Sequence, residues 1–471
     1  MVPHPLRRAV TVSVLTTIFT AAAAAQAKLP APPAPPSPEQ CRQHRVDLAK
    51  AIAGAHPGRA VVVLLRGAGK PADMGPFVQD QDFLYLTGVA EPDLAMLLVP
   101  AADGSLTVDE LLVPPHSRFA ATWDGNFLAP GEDTAQRTGF GAATNVRALQ
   151  ERLTALLAEQ NGARPLLLTA TRPAARLGST PGRAAQIAGE VARDPFDGRS
   201  SREAALADKL RAGFAGLQIE SLEDVLHPQR AAKTDGEIEL LRASAEIAAA
   251  GIAEAMKSAR PGLYEYQLAA VARYVFSLRG AGPDAYAAIV GAGANGCILH
   301  YSACSKVLEK DDLIVMDYAA TLHGYASDVT RTFPASGRFS KEQKKLVQDV
   351  YEIQQELIAQ VKPGARLSQL GRQCSELLRA RGYRSDHGPC HHVGLAVHDP
   401  SVDVLAPGMV ITVEPGAYLR DRGMGCRIED IVLVTANGHE VLSAGCPSEP
   451  AAIEALMRER GVVDVPVGAR R

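Results

Sequence analysis

Two apolar segments, each with an acidic residue in both of its strand-like halves, constrain this chain of 471 residues more than any other feature. In the first segment, residues 312–333, the alternation of apolar and polar positions predicts two strands joined by a turn centred between positions 322 and 323. Such a turn places Asp317 opposite Asp328. Cross-strand neighbours lie about 5 Å apart, and like charges at that distance destabilise a sheet. The pair therefore requires a cation, unless the register differs and one carboxylate faces solvent.

The second segment repeats this arrangement later in the chain. Residues 409–416 and 425–434 are again strand-like, and a turn between them opposes Glu414 to Glu429. Arg427 shares the face of Glu429, because side chains alternate between the two faces of a strand. Two hairpins that each bring two carboxylates together predict the two halves of one metal site.

Residues 387–398, between the two acidic segments, contain four histidines: His387, His391, His392 and His398. A lone histidine here would more often be a hydrogen-bonded core residue, but a cluster beside an acidic hairpin favours a metal site. Spacing alone leaves open which histidine binds. His391 and His398 would lie on opposite faces of a strand unless Gly394 bends the chain.

The predicted donor set is rich in oxygen and includes imidazole, which suits Mn²⁺, Co²⁺, Fe²⁺ or Zn²⁺. Four carboxylates would over-neutralise a single divalent ion, so two ions that share bridging carboxylates balance the charge better. Two ions about 3.5–4 Å apart can deprotonate a bridging water and polarise a carbonyl group. The expected chemistry is metal-assisted hydrolysis.

The first 27 residues have the features of a secretory signal peptide: Arg7 and Arg8, an apolar stretch and the small residues at 25–27. An uncleaved N-terminal anchor is the alternative. We expect an exported chain, periplasmic or secreted, with no membrane partner after signal cleavage. The formal net charge of −3 argues against nucleic acid as a partner, since nucleic acid rewards a basic surface.

The remaining chain predicts two domains of an α+β protein. Residues 28–39 form a Pro-rich linker, and strand-like and helical stretches then alternate over 40–222, which indicates an α/β domain. A second domain over 223–460 begins with helices that Pro261-Gly262 interrupts and continues with hairpins and two further helices, at 341–361 and 367–381. The tail, 461–471, is uninformative.

The acidic and histidine motifs strongly resemble the pita-bread metallopeptidases, family M24, and within them the branch of Xaa-Pro aminopeptidase (aminopeptidase P) and prolidase. The segments that carry the resemblance are, in chain order, Asn295-Gly-Cys-Ile-Leu-His300-Tyr, Ser327-Asp328-Val-Thr-Arg-Thr-Phe-Pro, His391 with Val397-His398-Asp, Thr412-Val-Glu414-Pro-Gly and Arg427-Ile-Glu429-Asp. Asp80-Gln-Asp-Phe-Leu-Tyr-Leu-Thr-Gly88 is similar to the N-terminal domain of the same branch. The resemblance implies a C-terminal pita-bread (creatinase/aminopeptidase) catalytic domain and an N-terminal α/β creatinase-like domain.

The resemblance also implies a role for each matching residue. The metal ligands would be Asp317, Asp328, His391, Glu414 and Glu429, with Asp328 and Glu429 bridging two divalent ions, in the first place Mn²⁺. Glu414 would shuttle the proton of a metal-bridged hydroxide, while His300 and His398 would bind substrate and stabilise the oxyanion. His387 and Tyr418 would bind the substrate, and Arg427 and Thr330 would orient the ligands.

The function implied is removal of the N-terminal residue from peptides with proline at the second position, by a homo-oligomer (dimer or tetramer). Xaa-Pro dipeptidase, or prolidase, is the main alternative. Prolidases typically carry an Arg between the equivalents of His398 and Glu414, and this chain has none there, which favours the aminopeptidase. A peptide-binding pseudoenzyme or a metal-free creatinase-like enzyme is disfavoured, because the full set of ligands is present.

Overall fold

A computed structural model of the protein describes residues 31–72, 74–115, 117–158, 164–176, 178–384 and 386–464. The predicted signal peptide and most of the predicted tail lie outside these residues. Within them, each helix is too short or too polar to cross a bilayer.

The N-terminal part is a mixed six-stranded sheet flanked by helices. Its strands are β1 Val61–Arg66, β2 Ala95–Pro100, β3 Leu106–Val113, β4 Ala142–Asn145, β5 Leu166–Thr169 and β6 Ile219–Ser221, in the order β4-β3-β2-β1-β5-β6. The helices are α1 Pro38–Ala55, α2 Gln81–Thr87, α3 Arg118–Asp124, α4 Glu132–Thr138, α5 Leu149–Leu156, α6 Pro181–Arg193 and α7 Arg202–Gly213. The Ser37 hydroxyl caps α1, which therefore begins inside the predicted linker.

The C-terminal part begins with helices and continues as small antiparallel sheets. Its helices are α8 Glu223–Ala231, α9 Asp235–Ser258, α10 Glu265–Leu278, α11 Lys341–Ile358, α12 Leu367–Ala380 and α13 Pro450–Leu456. Its strands are β7 Ile289–Ala292, β8 Leu313–Asp317, β9 Thr321–Leu322, β10 Tyr325–Ala326, β11 Thr330–Pro334, β12 Val410–Val413, β13 Gly416–Leu419, β14 Met424–Arg427, β15 Asp430–Val434 and β16 His439–Val441. The predicted helix break falls between α9 and α10, as expected.

The first acidic hairpin forms, but the predicted register is wrong by two residues. Asp317 pairs with Thr330, and Leu322 with Tyr325, rather than Asp317 with Asp328. The turn is centred between His323 and Gly324, whose φ angles of 50° and 89° are those of a type I′ turn. A shift of two residues leaves every side chain on its predicted face, so the acidic side chains still point to the same side of the hairpin.

The second acidic hairpin has the predicted register. Val413 pairs with Asp430 and Gly416 with Arg427, so Glu414 and Glu429 face each other between the two paired stretches. Strands β12, β14 and β15 beside this position are fully buried, and in β13 only Leu419 is partly exposed. Both carboxylates are thereby held inside the protein.

Two neighbouring carboxyl groups at the start of α2 titrate in opposite directions. Asp80 caps the helix by accepting the Phe83 N–H at 3.0 Å, and burial, followed by the charge of Asp82, raises the pKa of Asp80 to about 6. Burial also raises the pKa of Asp82, but Arg230 and His227 outweigh it and the pKa falls to about 2. At neutral pH, the Asp80 charge therefore opposes folding and the Asp82 charge supports it.

We expect Asp80→Asn to stabilise the protein above pH 6, because asparagine keeps the helix cap and removes the opposing charge. A folded-state pKa above the unfolded value means that the free energy of unfolding falls as the pH rises from about 4 to about 6. The gain should thus be about 1–3 kcal/mol at pH 7.5 and vanish near pH 4. Urea denaturation of both proteins across this range measures it, and an equal gain at both pH values would contradict the assignment.

Candidate metal centre

One cavity of about 850 Å³ brings the predicted site residues together. Those that line it are His300, Asp317, Asp328, His387, His391, His398, Glu414, Arg427 and Glu429. The two remaining predicted residues adjoin it: Thr330 donates to Glu429, and Tyr418 lies against His387 and Arg427. Residues that are remote in the sequence thus form a single site.

Among the histidines of the cavity, His391 is the one whose ring nitrogen lies among the carboxylates. Ligand atoms of Asp328, His391 and Glu429 lie within 4.8 Å of one another. The His391 Nε2 atom is 3.5 Å from Asp328 Oδ2 and 3.4 Å from Glu414 Oε1. Its Nδ1 atom lies 3.1 Å from the His392 carbonyl oxygen, an arrangement that leaves Nε2 free to bind a metal.

The chain bends sharply after His391, as the histidine spacing requires. The Gly394 N–H donates to the Ala396 carbonyl oxygen at 2.9 Å, and the rings of His391 and His398 come within 4.2 Å, centroid to centroid. A side chain at position 394 would place its Cβ 2.3 Å from a carboxylate oxygen of Asp399, so only glycine fits. His392, by contrast, is a buried core residue whose Nε2 lies 3.0 Å from the Val402 carbonyl oxygen.

The two acidic hairpins are joined where Thr330 meets Glu429. Their backbones form an isolated bridge, with the Glu429 N–H donating to the Thr330 carbonyl oxygen at 3.1 Å, and the Thr330 hydroxyl donates to Glu429 Oε2 at 2.6 Å. The buried Arg331 side chain reinforces the junction by donating to the Glu429 carbonyl oxygen at 2.6 Å and to Asp430 Oδ1 at 2.6 Å. Backbone pairing and side-chain hydrogen bonds therefore fix the position of Glu429.

The carboxylates of this site repel one another in a buried environment. Burial, followed by the charges of neighbouring carboxylates, raises the pKa of Asp328 and of Glu429 well above the usual value, and the same causes raise the pKa of Glu414. Arg427 compensates only in part; its Nη2 atom donates to Asp317 Oδ2 at 2.8 Å. Carboxylates and one imidazole with this excess of negative charge fit divalent cations.

Tyr286 is a site residue that sequence reasoning missed. Its hydroxyl lies 2.5 Å from Asp317 Oδ1 and 2.7 Å from Asp328 Oδ1, so that it ties together the two aspartates of the first hairpin. Burial, followed by the two aspartate charges, raises the pKa of Tyr286 well above its usual value, which keeps the hydroxyl protonated. It lies just before β7, where no periodicity or motif distinguishes it.

The N-terminal domain supplies one wall of the cavity, which was also not predicted. Gly178, Ser179, Thr180 and Arg183, around the start of α6, line the same space as the acidic residues. Gly178 has a φ of 80°, and a Cβ there would lie 2.7 Å from the Cβ of Tyr286. A backbone without a side chain is thus required where the N-terminal domain approaches the metal site.

Neutral polar groups complete the side of the cavity around His387. Its Nε2 atom is 2.9 Å from the Tyr418 hydroxyl, which also accepts a hydrogen bond from Arg427 Nη1 at 3.0 Å. Burial lowers the pKa of His387 to about 4 and that of His398 to about 3. Near pH 7 both imidazoles are therefore neutral, and each can donate one N–H and accept at the other nitrogen.

Sequence comparison places this geometry in a known family. Residues 239–436 match the profile of Metallopeptidase family M24, and residues 42–164 match that of the aminopeptidase P N-terminal domain. The Xaa-Pro aminopeptidase of Escherichia coli K12 is 31% identical over 422 residues, which cover 81% of this chain and 89% of the relative. The chain belongs to metallopeptidase family M24. The predictions of an α+β metallo-aminopeptidase and of divalent metal ions as its cofactor are confirmed at this level.

Other relatives and solved structures agree with the M24 assignment. Human Xaa-Pro aminopeptidase 3 is 29% identical over 81% of this chain and 76% of its own length. An Xaa-Pro dipeptidase from Pyrococcus furiosus is 34% identical, but over only 48% of this chain and 67% of its own length. The structure of E. coli aminopeptidase P with the inhibitor Pro-Leu superposes with a TM-score of 0.74 at 27% identity, covering 90% of this chain and 99% of that one.

We expect Tyr286→Phe to weaken divalent-metal binding by about 10- to 100-fold, because Asp317 and Asp328 lose the hydroxyl that orients them. Titration of the metal-free protein with Mn²⁺, followed by calorimetry, measures the loss. Tyr325→Phe is the matched control, since it removes a buried tyrosine–carboxylate hydrogen bond to Glu237 away from the cavity.

The same titration of Asp328→Ala sets the lower limit, because removing a ligand should abolish both metal binding and activity. Unchanged Mn²⁺ affinity in Tyr286→Phe, or an equal loss in Tyr325→Phe, would contradict the role given to Tyr286. Retained turnover in Asp328→Ala would contradict the site itself.

Proposed function

We propose that this M24 enzyme is an exported aminopeptidase that uses two divalent ions, in the first place Mn²⁺, to hydrolyse the bond between an N-terminal residue and a following proline. The observation that carries the proposal is the set of four carboxylates and one imidazole around one cavity, with excess negative charge and backbone-fixed positions. A peptide-binding relative without activity would have no need of this complete donor set.

Asp317, Asp328, His391, Glu414 and Glu429 would hold the two ions. Two divalent ions in such a site activate a water molecule and polarise the scissile carbonyl group. Arg427 and Thr330 hold the Asp317 and Glu429 carboxylates by hydrogen bonds, which keeps the ligand oxygens in place while substrate enters.

The other side chains of the cavity have roles in binding substrate and moving a proton. Glu414 lies 3.4 Å from His391 and faces the cavity, where its carboxylate can carry the proton from water to the departing amine. His300 and His398 can each direct an N–H at the oxygen of the reacting carbonyl, where preorganised donors stabilise developing charge. His387 and Tyr418 form the side of the cavity proposed to receive the proline ring.

Three observations favour the aminopeptidase over the Xaa-Pro dipeptidase, the second candidate. Residues 399–413, between His398 and Glu414, contain no arginine to bind the terminal carboxylate of a dipeptide. The relatives named Xaa-Pro aminopeptidase also match 81% of this chain, including its N-terminal domain, whereas those named Xaa-Pro dipeptidase match 48% of it. A cavity of about 850 Å³ leaves room for a peptide longer than two residues.

Hydrolysis of three matched peptides by the Mn²⁺-loaded protein tests this proposal. We expect Xaa-Pro-Yaa to be cleaved at least about 100-fold more efficiently than Xaa-Ala-Yaa, because the alanine peptide leaves the proline side of the cavity unfilled. The dipeptide Xaa-Pro should be the poorer proline substrate. Cleavage of the dipeptide alone would contradict the aminopeptidase, and equal cleavage of the alanine peptide would contradict proline selectivity.

The proposal of export rests on the amino-terminal sequence. Arg7 and Arg8 precede an apolar stretch and a small-residue cleavage site.

The proposal of a dimer or tetramer rests on an exposed apolar surface. Helix α3 buries none of its side chains and exposes Phe119 and Trp123, which are 76% and 75% accessible. Large apolar groups of this kind are typically covered by another subunit.

Export predicts a definite mature amino terminus. When the full chain is expressed in a bacterium with a periplasm, the recovered enzyme should begin at Lys28, because cleavage follows Ala25-Gln26-Ala27. N-terminal sequencing of periplasmic and cytoplasmic fractions measures this. A product that still begins at Met1 and remains in the cytoplasm would contradict export while leaving the peptidase assignment intact.

A further inference from the structure

The turn that carries His398 is closed by the carboxylate that follows it in the chain. Asp399 Oδ1 accepts the Ala396 N–H at 3.2 Å, and the Asp399 N–H donates to the His392 carbonyl oxygen at 2.9 Å. The Gly394 N–H closes the inner part of the turn on the Ala396 carbonyl oxygen. The orientation of Asp399 therefore fixes the backbone from which the His398 imidazole projects.

Two cationic side chains of the catalytic domain, those of Arg230 and Lys233, contact the Asp399 carboxylate. Arg230 Nη2 lies 2.5 Å from Asp399 Oδ1, and Lys233 Nζ lies 3.1 Å from Asp399 Oδ2. The three side chains are buried, with accessible fractions of 4%, 1% and 2% for Arg230, Lys233 and Asp399. Such a buried pair is strongly destabilised when one partner is removed, so the geometry depends on every member.

Arg230 reaches beyond the catalytic domain to helix α2 of the N-terminal domain. Its Nη1 atom lies 2.5 Å from Asp82 Oδ1, while Asp82 Oδ2 lies 3.3 Å from His227 Nε2. A guanidinium group is planar and its donors are fixed relative to one another. The contact with Asp82 on one side therefore sets the angle at which Arg230 presents its other nitrogen to Asp399.

The network borders the cavity of the candidate metal centre. Two carboxylates, Asp82 and Asp399, face two cations, Arg230 and Lys233. A second cavity of about 510 Å³ runs along it and is lined by Asp82, Arg230 and Asp399 together with the rings of His391 and His398. The network thus adjoins the turn from which His398 projects.

We propose that Asp82 is a positioning residue for His398 and that it acts through Arg230 and Asp399. The N-terminal domain would then contribute to turnover as well as forming a wall of the cavity. This inference rests on the proposed function, because it gives His398 a role in hydrolysis. It also assigns a role to Asp82 in the acidic motif at 80–83. The peptidase chemistry itself assigns no role to this motif.

Asp82→Asn tests the proposal, since asparagine keeps the side-chain shape but removes the charge that orients Arg230. In the Mn²⁺-loaded enzyme, kcat for an Xaa-Pro-Yaa peptide should fall by about 10- to 100-fold, the scale on which a misplaced catalytic group lowers a rate. KM and the number of bound Mn²⁺ ions should stay within about twofold, because no metal ligand is moved. Asp82→Glu, which restores the charge, should recover part of kcat.

Asp109→Asn is the matched control within the same domain. Asp109 also pairs with a buried arginine, Arg45, at 2.7 Å, and the two aspartates have similar accessibility, 11% for Asp109 and 13% for Asp82. Both substitutions should lower the thermal unfolding temperature. Only Asp82→Asn should lower kcat by more than about twofold, because Arg45 makes no contact with the turn of His398.

A double-mutant cycle with His398→Ala decides whether the effect passes through the histidine. If it does, Asp82→Asn should cost little further activity once the imidazole is gone, whereas a general structural effect would multiply with that of His398→Ala. Multiplicative losses, or equal losses of kcat in Asp82→Asn and Asp109→Asn, would overturn the inference. A wild-type protein inactive on all Xaa-Pro peptides would instead contradict the proposed function.

Discussion

Repulsion among buried carboxylates is the constraint on which this structure depends. Glu414 and Glu429 face each other across one hairpin, and Asp317 and Asp328 lie on the same side of the other. Folding places these groups together although burial and the charges of neighbouring carboxylates raise the pKa values of Asp328, Glu414 and Glu429. The paired strands beside these positions hold them there, because the hydrogen bonds of a sheet position a side chain without requiring a favourable contact from it. Binding of divalent cations to the native state can then offset the free-energy cost of bringing these charges together.

The two domains are joined by a shared interior as well as by charged contacts. A single hydrophobic cluster includes Val63 and Leu98 from the N-terminal sheet together with Leu241 and Ile314 from the catalytic part. Packing on this scale fixes one domain against the other, because interiors are close-packed and transmit small displacements. That rigidity is what allows a glycine turn of the N-terminal domain to form a wall of the metal site at van der Waals distance.

Local sequence patterns predicted the elements and the two acidic hairpins, whereas contacts between distant segments could be found only in the structure. The helices at 341–358 and 367–380, and the register that opposes Glu414 to Glu429, follow from periodicity and turn position. Tyr286 and Gly178 carry no such signal, since their importance lies in what they touch: the aspartates of the first hairpin and Tyr286 itself. A one-dimensional pattern records which face a side chain occupies but not which segment lies opposite.

The alternation of side chains along a strand explains why the register error in the first hairpin did not change the predicted site. It also explains why the choice between His391 and His392 could not be made from the sequence pattern. The register of the first hairpin was wrong by two residues, an even step that keeps Asp317 and Asp328 on one face. His391 and His392 are one residue apart, so that one side chain points to the cavity and the other to the core. The choice between them was made from the family resemblance. Only the bend at Gly394 turns His391 toward the carboxylates and seats His392 against the Val402 carbonyl group. A prediction from sequence pattern therefore keeps side chains on the correct face where the backbone is regular, even when the register is wrong. Where the backbone bends, the pattern does not determine which face a side chain occupies.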